Sequence, residues 1–264
     1  MLTVNFPSVG NRVRHLLYES IEGLVSPSDI PLKPGRGGLP IRYRSALALK
    51  LAKSEAMEKA HEIASRIHAP EFQLSVTPPG FLDIGIRDIV LANWLQNLVH
   101  TSVPAVAEPS VDREIPFVIQ YTYSRCGSLL QLGARAGFVR LKRSSHRRPL
   151  YTDETRNENG VRGEILNPLP WLDAQNRLRY SHDSESQLIA RCVTVADTIA
   201  QNEGNWLKYA LQLAQAFEMF HRDCRIVGQP PEIARVRLGW LAVTRVLLKW
   251  LLEVGLNVSA LDTM

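Results

Sequence analysis

Cysteine is scarce in this sequence. The three cysteines, Cys126, Cys192 and Cys224, lie far apart, and two of them fall within the apolar faces of predicted helices. This distribution excludes a disulfide framework and a CxxC metal site. We therefore expect buried free thiols in a reducing compartment, which favours the cytoplasm.

Long apolar runs are also missing. No stretch approaches eighteen uninterrupted apolar residues, so the sequence predicts no membrane span. Residues 1–17 contain neither a long apolar core nor a small-residue cleavage site, so we expect no signal peptide.

Catalytic motifs are missing as well. The sequence has no GxSxG and no cysteine in a catalytic setting, and its carboxylates at 153, 154, 158 and 164 fall in a predicted loop with nothing to fix a pair. The GRGG at 35–38 has neither P-loop nor GxGxxG spacing, which favours a flexible loop over a phosphate cradle. No enzyme activity, cofactor or metal is expected.

What remains is a mildly basic chain with the composition of a globular protein. Its 264 residues are 45% hydrophobic and 22% charged, with a formal net charge of +5. This length allows one large domain or two small ones. The positive charge favours a polyanionic partner.

Residues 1–101 predict a small α/β domain with a short antiparallel sheet. Helical spacing of apolar residues predicts helices over 9–25 and 42–68, with no regular structure over 26–40. Alternating residues predict strands over 72–77 and 81–86, joined by a turn at 78–80. A helix beginning at Asp88 follows.

Residues 116–264 predict an all-α bundle, so that the whole chain is α+β and mostly helical. Pro116 opens one helix, and two long helices joined by a short hinge at Pro230 and Pro231 are expected to pack as an antiparallel pair. Gly255 is expected to end the second in a left-handed cap. We expect three tryptophans of this region to be apolar anchors, namely Trp206, Trp240 and Trp250.

The C-terminal region carries an ordered set of residues: Tyr209, Leu211, Leu213, Ala214, Phe217, Phe220, Arg225, Ile226, Ala234, Arg235 (or Arg237 with Leu238), Gly255, Leu256 and Met264. Their order and spacing resemble the DALR anticodon-binding domain of arginyl-tRNA synthetases. Tyr121, Arg125 and Ser128 resemble the first helix of that domain. The resemblance implies that the anticodon loop meets the chain near Tyr121, Arg125 and Met264.

The N-terminal region is similar to the additional domain of the same synthetases, through Leu51-Ala52-Lys53 and Pro79-Gly80-Phe81. The resemblance implies that Phe81 and Asp83 face the D-loop of a tRNA. The family usually has Asn at the position of Asp83, and a carboxylate repels phosphate.

The catalytic domain that separates these modules in a synthetase has no counterpart here. Residues 102–115 form only a predicted linker between 1–101 and 116–264. The HxGH signature is absent, and the KMSKS-like run at 50–54 falls within a predicted helix. The resemblance therefore implies that this chain does not aminoacylate tRNA.

Basic residues are spread over both regions. A segment at 137–182 is interpreted either as a basic loop that grips phosphates or as a solvated loop, with no preference between the two. Candidate phosphate contacts are Arg12, Arg14, Arg42, Arg44, Lys142, Arg143, Arg147, Arg148, Arg235 and Arg237.

Two functions follow from these observations. The first is a non-catalytic tRNA-binding protein, with an arginine-type tRNA as the implied ligand, acting as adaptor, carrier or regulator. The second is a protein-interaction or assembly module that kept the fold and lost RNA, and that binds a partner or itself through surfaces that once met the catalytic domain. The positive charge favours the first.

Overall fold

The computed structural model describes residues 6–35, 37–104, 114–143, 161–202 and 204–262. In these residues the chain is mostly helical and carries a small antiparallel sheet, as the sequence predicts. The helices are α1 Val9–Ser20, α2 Leu47–Ala52, α3 Ala56–Arg66, α4 Asp88–Val99, α5 Phe117–Arg135, α6 Asp183–Gln201, α7 Trp206–Asp223 and α8 Pro231–Trp250. The strands are β1 Leu32–Pro34, β2 Arg42–Ser45, β3 Phe72–Thr77, β4 Phe81–Ile86, β5 Leu141–Arg143 and β6 Val161–Ile165.

The larger sheet has the order β1-β2-β4-β3, with every pair antiparallel. Strands β3 and β4 occupy the predicted ranges, because their alternating residues and the turn between them act locally. One face of β4 buries Leu82, Ile84 and Ile86 against the helices. The opposite face turns outward.

Two predictions for this region are wrong. Residues 42–45 form strand β2 instead of the start of a long helix, because Tyr43 and Ser45 point into the core while pairing with β4. The range 26–40, predicted to be irregular, contains β1. Pro34 is tolerated there because β1 is an edge strand.

The predicted 42–68 helix is also interrupted further along. It is divided into α2 and α3 at Lys53, whose φ is 40°. The turn before β4 lies against this break: a Cβ at Gly80 would come within 2.7 Å of the backbone of Ala56. Tertiary contact therefore outweighs the helix propensity of these residues.

Helices α5 to α8 form most of the second part of the molecule. The prediction of an all-α bundle over 116–264 is wrong, because strands β5 and β6 pair within this range. Helix α8 packs mainly against α5, and α7 mainly against α6, while α7 and α8 also contact each other. Pro231 begins α8, as predicted. Trp240 and Trp250 are buried and Trp206 is half-buried with its ring against that of Trp250, so the three tryptophans are apolar anchors.

Gly255 is not the left-handed cap that the sequence predicts. It closes a π-helical turn, Leu251–Gly255, and the left-handed residue is Asn257, with φ of 56°. Glycine is needed at 255 for close approach, since a Cβ would lie 2.9 Å from the indole ring of Trp206.

The described part of 137–182 is not a solvated loop. Strands β5 and β6 pair within it, and it buries Val139, Ile165, Leu169, Trp171 and Leu178. The ring of Trp171 lies 4.8 Å from that of Trp240 on α8. Apolar residues that lie between charged ones in sequence thus anchor this segment to the bundle.

The two parts of the chain share one hydrophobic core. At their junction the buried carboxylate of Asp197 on α6 accepts hydrogen bonds from Tyr43 Oη (2.5 Å), Ser8 Oγ (2.7 Å) and the Gly10 amide (2.9 Å). Further contacts run from the Trp171 indole to Gln96 and from the Leu178 amide to Asp88.

All three cysteines are free and buried, as predicted. Burial raises the pKa of the Cys192 thiol to about 12. Among the helices of the described residues, none is long and apolar enough to cross a membrane.

Candidate nucleic-acid interface

Helix α5 carries two exposed aromatic side chains followed by a half-buried arginine. Phe117 is 67% exposed and Tyr121 is 38% exposed. Their rings stack, with centroids 5.7 Å apart and planes inclined by 20°. Arg125 lies one further helical turn along the same face. We call Phe117, Tyr121 and Arg125 the α5 platform.

Tyr121 and Arg125 were predicted from sequence, whereas Phe117 was missed. The sequence does contain a pattern that could have identified Phe117. It lies four residues before Tyr121, so the two side chains share one face of a helix. That face carries polar residues further along, including Ser128. Aromatic residues that share a helix face with polar ones are more consistent with the exposed surface than with the core.

Arg125 is positioned by a histidine of α7. Its Nε donates to Nε2 of His221 over 3.4 Å, and the His221 ring stacks on Phe217 with centroids 5.5 Å apart. Burial, and then the positive charge of Arg125, lower the pKa of His221. The imidazole is therefore neutral at pH 7 and able to accept this hydrogen bond.

The segment 256–262, which we call the strap, runs beside the platform. Gln120 of α5 donates its amide to the Ser259 carbonyl (2.8 Å) and accepts from the Leu261 amide (3.1 Å). Ser124 Oγ donates to the Asp262 carbonyl at 3.2 Å. Gln120 and Ser124 flank the platform residues on α5, so the strap borders the aromatic pair.

The outward face of the larger sheet holds a second group of predicted residues, Phe81, Asp83, Arg42 and Arg44. Arg44 donates from Nε and Nη2 to the two carboxylate oxygens of Asp83, at 2.7 and 2.9 Å. Its guanidinium also lies 5.3 Å from the centre of the Phe81 ring. Register places Lys33 beside Arg44 and Arg42 beside Gly85 on this face.

The charge of Asp83 is balanced within the protein. Hydrogen bonds from Arg44 and one from Thr77 lower the pKa of this carboxyl, although partial burial opposes them. The predicted repulsion between Asp83 and phosphate is therefore offset by the adjacent guanidinium, and Arg42 adds a positive charge to the same face.

The predicted arginines of α8 have different surroundings. Arg237 is buried: its Nε donates to Glu185 Oε1 at 2.8 Å, and its other nitrogens donate to the Arg225 carbonyl and to Ser181 Oγ. This corrects its assignment as a phosphate contact, because the guanidinium is already enclosed by acceptors. Arg235 is half-buried and donates to the Phe138 carbonyl.

The remaining predicted residues are described only in part. Lys142 is exposed on β5, and the backbone of Arg143 pairs with Val161 of β6. Arg147, Arg148 and Met264 lie outside the described residues. The structure therefore brings Tyr121 and Arg125 together on the α5 platform and Phe81, Asp83, Arg42 and Arg44 together on the sheet face. Lys142 and Arg143 lie apart from both, on β5.

A metal site has no support in the described ranges, where no three His, Cys, Asp or Glu side chains are grouped to hold an ion. Comparison of the chain with protein families, with curated proteins and with solved structures yields no significant match.

Proposed function

We propose that this chain binds RNA, and transfer RNA in particular, as a non-catalytic relative of arginyl-tRNA synthetase that acts in the cytoplasm as an adaptor, carrier or regulator. In this proposal helices α5 to α8 are a DALR-type anticodon-binding bundle. The N-terminal sheet is the counterpart of the synthetase additional domain.

The observation that carries the proposal is the α5 platform. Phe117 and Tyr121 stack on each other while exposing their rings, and Arg125 follows in the same row. Exposed aromatic rings beside a guanidinium suit unpaired bases and their phosphates, and each stacked base contributes about 1–3 kcal/mol. Tyr121 and Arg125 are also the positions that the family resemblance implies for the anticodon loop.

The sheet face supports the same ligand. Arg42 and Arg44 are exposed there, and Phe81 lies under the Arg44 guanidinium. A basic face that also presents an aromatic ring is suited to the backbone and an unstacked base of a tRNA loop. The formal charge of +5 favours approach to a polyanion.

A second candidate is docking of an apolar protein segment, or of a second copy, on the same row of α5. Leu132 continues the row and is 46% exposed. One observation argues against this candidate. The N-terminal and C-terminal parts pack on each other around one shared core, so the apolar faces that once met a catalytic domain are covered within the chain.

Fluorescence anisotropy with labelled total tRNA separates the two candidates. For RNA binding we expect micromolar or tighter affinity at about 50 mM salt, falling steeply by about 200 mM because several phosphates release counterions. Affinity weaker than about 1 mM at low salt would contradict RNA binding. Binding that hardly depends on salt would favour an apolar ligand.

A further inference from the structure

Arg245 of α8 is a largely buried cation beside the strap. Its side chain is 14% exposed, and its guanidinium lies 4.6 Å from the centre of the Tyr123 ring of α5. Gly127 leaves room for it, since a Cβ there would lie 3.3 Å from Arg245 Nε. The guanidinium is thus held in a fixed place between α5, α8 and the strap.

The carboxylate that pairs with Arg245 lies on the surface. Oδ1 of Asp262 accepts from Arg245 Nη2 at 2.5 Å, but the Asp262 side chain is 71% exposed. The strap is tied to α5 by Gln120 and Ser124 through backbone atoms of residues 259–262. The Asp262 carboxylate can therefore rotate away from Arg245 while the strap stays in place.

The pairing uses only part of what the guanidinium offers. Nε of Arg245 is buried and has no hydrogen-bond partner among the described residues. In the same chain Arg44 uses both Nε and Nη2 on Asp83. A buried donor without an acceptor costs free energy, and the Nε/Nη2 edge of a guanidinium matches two oxygens of a phosphate.

We propose that Arg245 is a phosphate-binding residue of the RNA interface, and that Asp262 occupies it in the free protein as an internal anion that RNA phosphate displaces. This inference rests on the proposed function. It is favoured by position, because Arg245 contacts Tyr123 and the strap, and both are joined to α5, the helix that carries the platform. It would also make RNA binding compete with an intramolecular ion pair.

The decisive variant is Asp262→Asn, which keeps the shape of the side chain and removes the competing charge. Its matched control is Glu58→Gln, an exposed residue of α3 with the same change in formal charge. For Asp262→Asn we expect tRNA affinity to rise about three- to tenfold at low salt, with a salt slope steeper by about 0.7 for one added phosphate contact. Glu58→Gln is expected to stay within about twofold of the unaltered protein.

The double variant Asp262→Asn/Arg245→Gln assigns the gain to Arg245. We expect it to lose the added affinity and the added slope. Thermal unfolding checks that this variant is folded. If it is not, Arg245→Lys in the Asp262→Asn background replaces it, because it keeps the charge and removes the two-donor edge, and we expect most of the gain to be lost.

A direct measurement is independent of tRNA binding. In Asp262→Asn, inorganic tripolyphosphate is expected to shift the NMR signal of the Arg245 Nε–H group at concentrations that leave Glu58→Gln unchanged. If neither this shift nor tighter tRNA binding appears, Asp262 has a structural role only and the inference is wrong. If no variant binds tRNA but the tripolyphosphate shift is present, the proposed function is wrong and Arg245 remains an anion site.

Discussion

The hydroxyl of Tyr43 donates a hydrogen bond of 2.5 Å to Oδ2 of Asp197, joining the central part of the larger sheet to helix α6. Both groups are buried, and they are 154 positions apart in sequence. Ser8 and Gly10 supply the donors for the other carboxylate oxygen. This cluster connects the two parts of the chain through one buried carboxyl group.

Removing the Tyr43 hydroxyl should therefore destabilise the protein. Tyr43→Phe leaves Asp197 Oδ2 without its donor, and we expect the free energy of unfolding to fall by about 1–3 kcal/mol. Urea denaturation followed by circular dichroism measures this change. Tyr180→Phe, on an exposed tyrosine, is the matched control and should stay within about 0.5 kcal/mol. Equal stability of the two variants would show that the cluster contributes little.

The same cluster predicts a pH dependence. Burial raises the pKa of Asp197 above its ordinary value of 3.8, although hydrogen bonds from Tyr43, Gly10 and Ser8 oppose the rise. At a pH between the two pKa values, Asp197 is protonated in the folded state and ionised in the unfolded state. The resulting stabilisation is complete below about pH 3.8 and is lost as pH rises through the pKa of the folded state.

Asp197→Asn isolates this effect, because the amide does not titrate in this range. We expect the stability of the unaltered protein relative to Asp197→Asn to decline as pH rises from about 4. Urea midpoints measured for both proteins over a series of pH values test this. A relative stability that increases with pH would contradict the assigned direction of the pKa shift.

Replacing Arg237 should reduce the free energy of unfolding more than replacing Arg235. Arg237→Leu leaves Glu185 buried without its cation, so we expect a loss of about 3–5 kcal/mol in the free energy of unfolding. Arg235→Leu removes one hydrogen bond from a half-buried side chain and should cost about 1 kcal/mol. Urea denaturation compares them. A small effect of Arg237→Leu would mean that the buried ion pair is dispensable.

The α5 platform predicts a loss of RNA affinity without a loss of stability. Phe117→Ala and Tyr121→Ala should each weaken tRNA binding by about 1–3 kcal/mol, because each removes a ring available for base stacking. Anisotropy titration measures the affinity, and thermal unfolding checks the fold. Met57→Ala, an exposed apolar residue of α3, is the control and should bind as the unaltered protein does.

Gly239 on α8 should not tolerate a methyl group. A Cβ at this position would lie 2.3 Å from the Trp171 ring and 2.9 Å from Leu169. Gly239→Ala must therefore displace Trp171 from Trp240, and overpacking of this kind costs about 1–3 kcal/mol. Tryptophan fluorescence during urea denaturation reports both the displacement and the stability. Unchanged fluorescence and stability would contradict this packing.

Local patterns were sufficient for much of the fold. The ranges of β3 and β4 follow from alternating residues on either side of a proline-glycine turn, and α8 begins where a proline fits a helix N-terminus. The burial of Cys126 and Cys192 follows from their positions on the buried faces of α5 and α6. In each case the determining interactions lie within a few residues of one another.

Local sequence patterns do not predict the structure where contacts between distant residues determine it. Residues 42–45 have helical neighbours, yet they pair with β4. Residues 141–143 and 161–165 pair as antiparallel strands within a segment interpreted as a loop. In each case the partner strand lies many residues away in the sequence, so local periodicity does not indicate the pairing. Helix propensity is too weak to outweigh a ladder of hydrogen bonds that also buries side chains.

Residue type and local spacing alone set the periodic apolar faces, the turns and the excess of positive charge. Which guanidinium groups lie near the surface depends on the three-dimensional fold. Arg237 and Arg245 look alike in sequence, but one is enclosed by Glu185 and carbonyl acceptors, whereas the other meets an exposed carboxylate on the strap. The two differ because the burial and pairing of a guanidinium depend on groups that the fold brings from far along the chain.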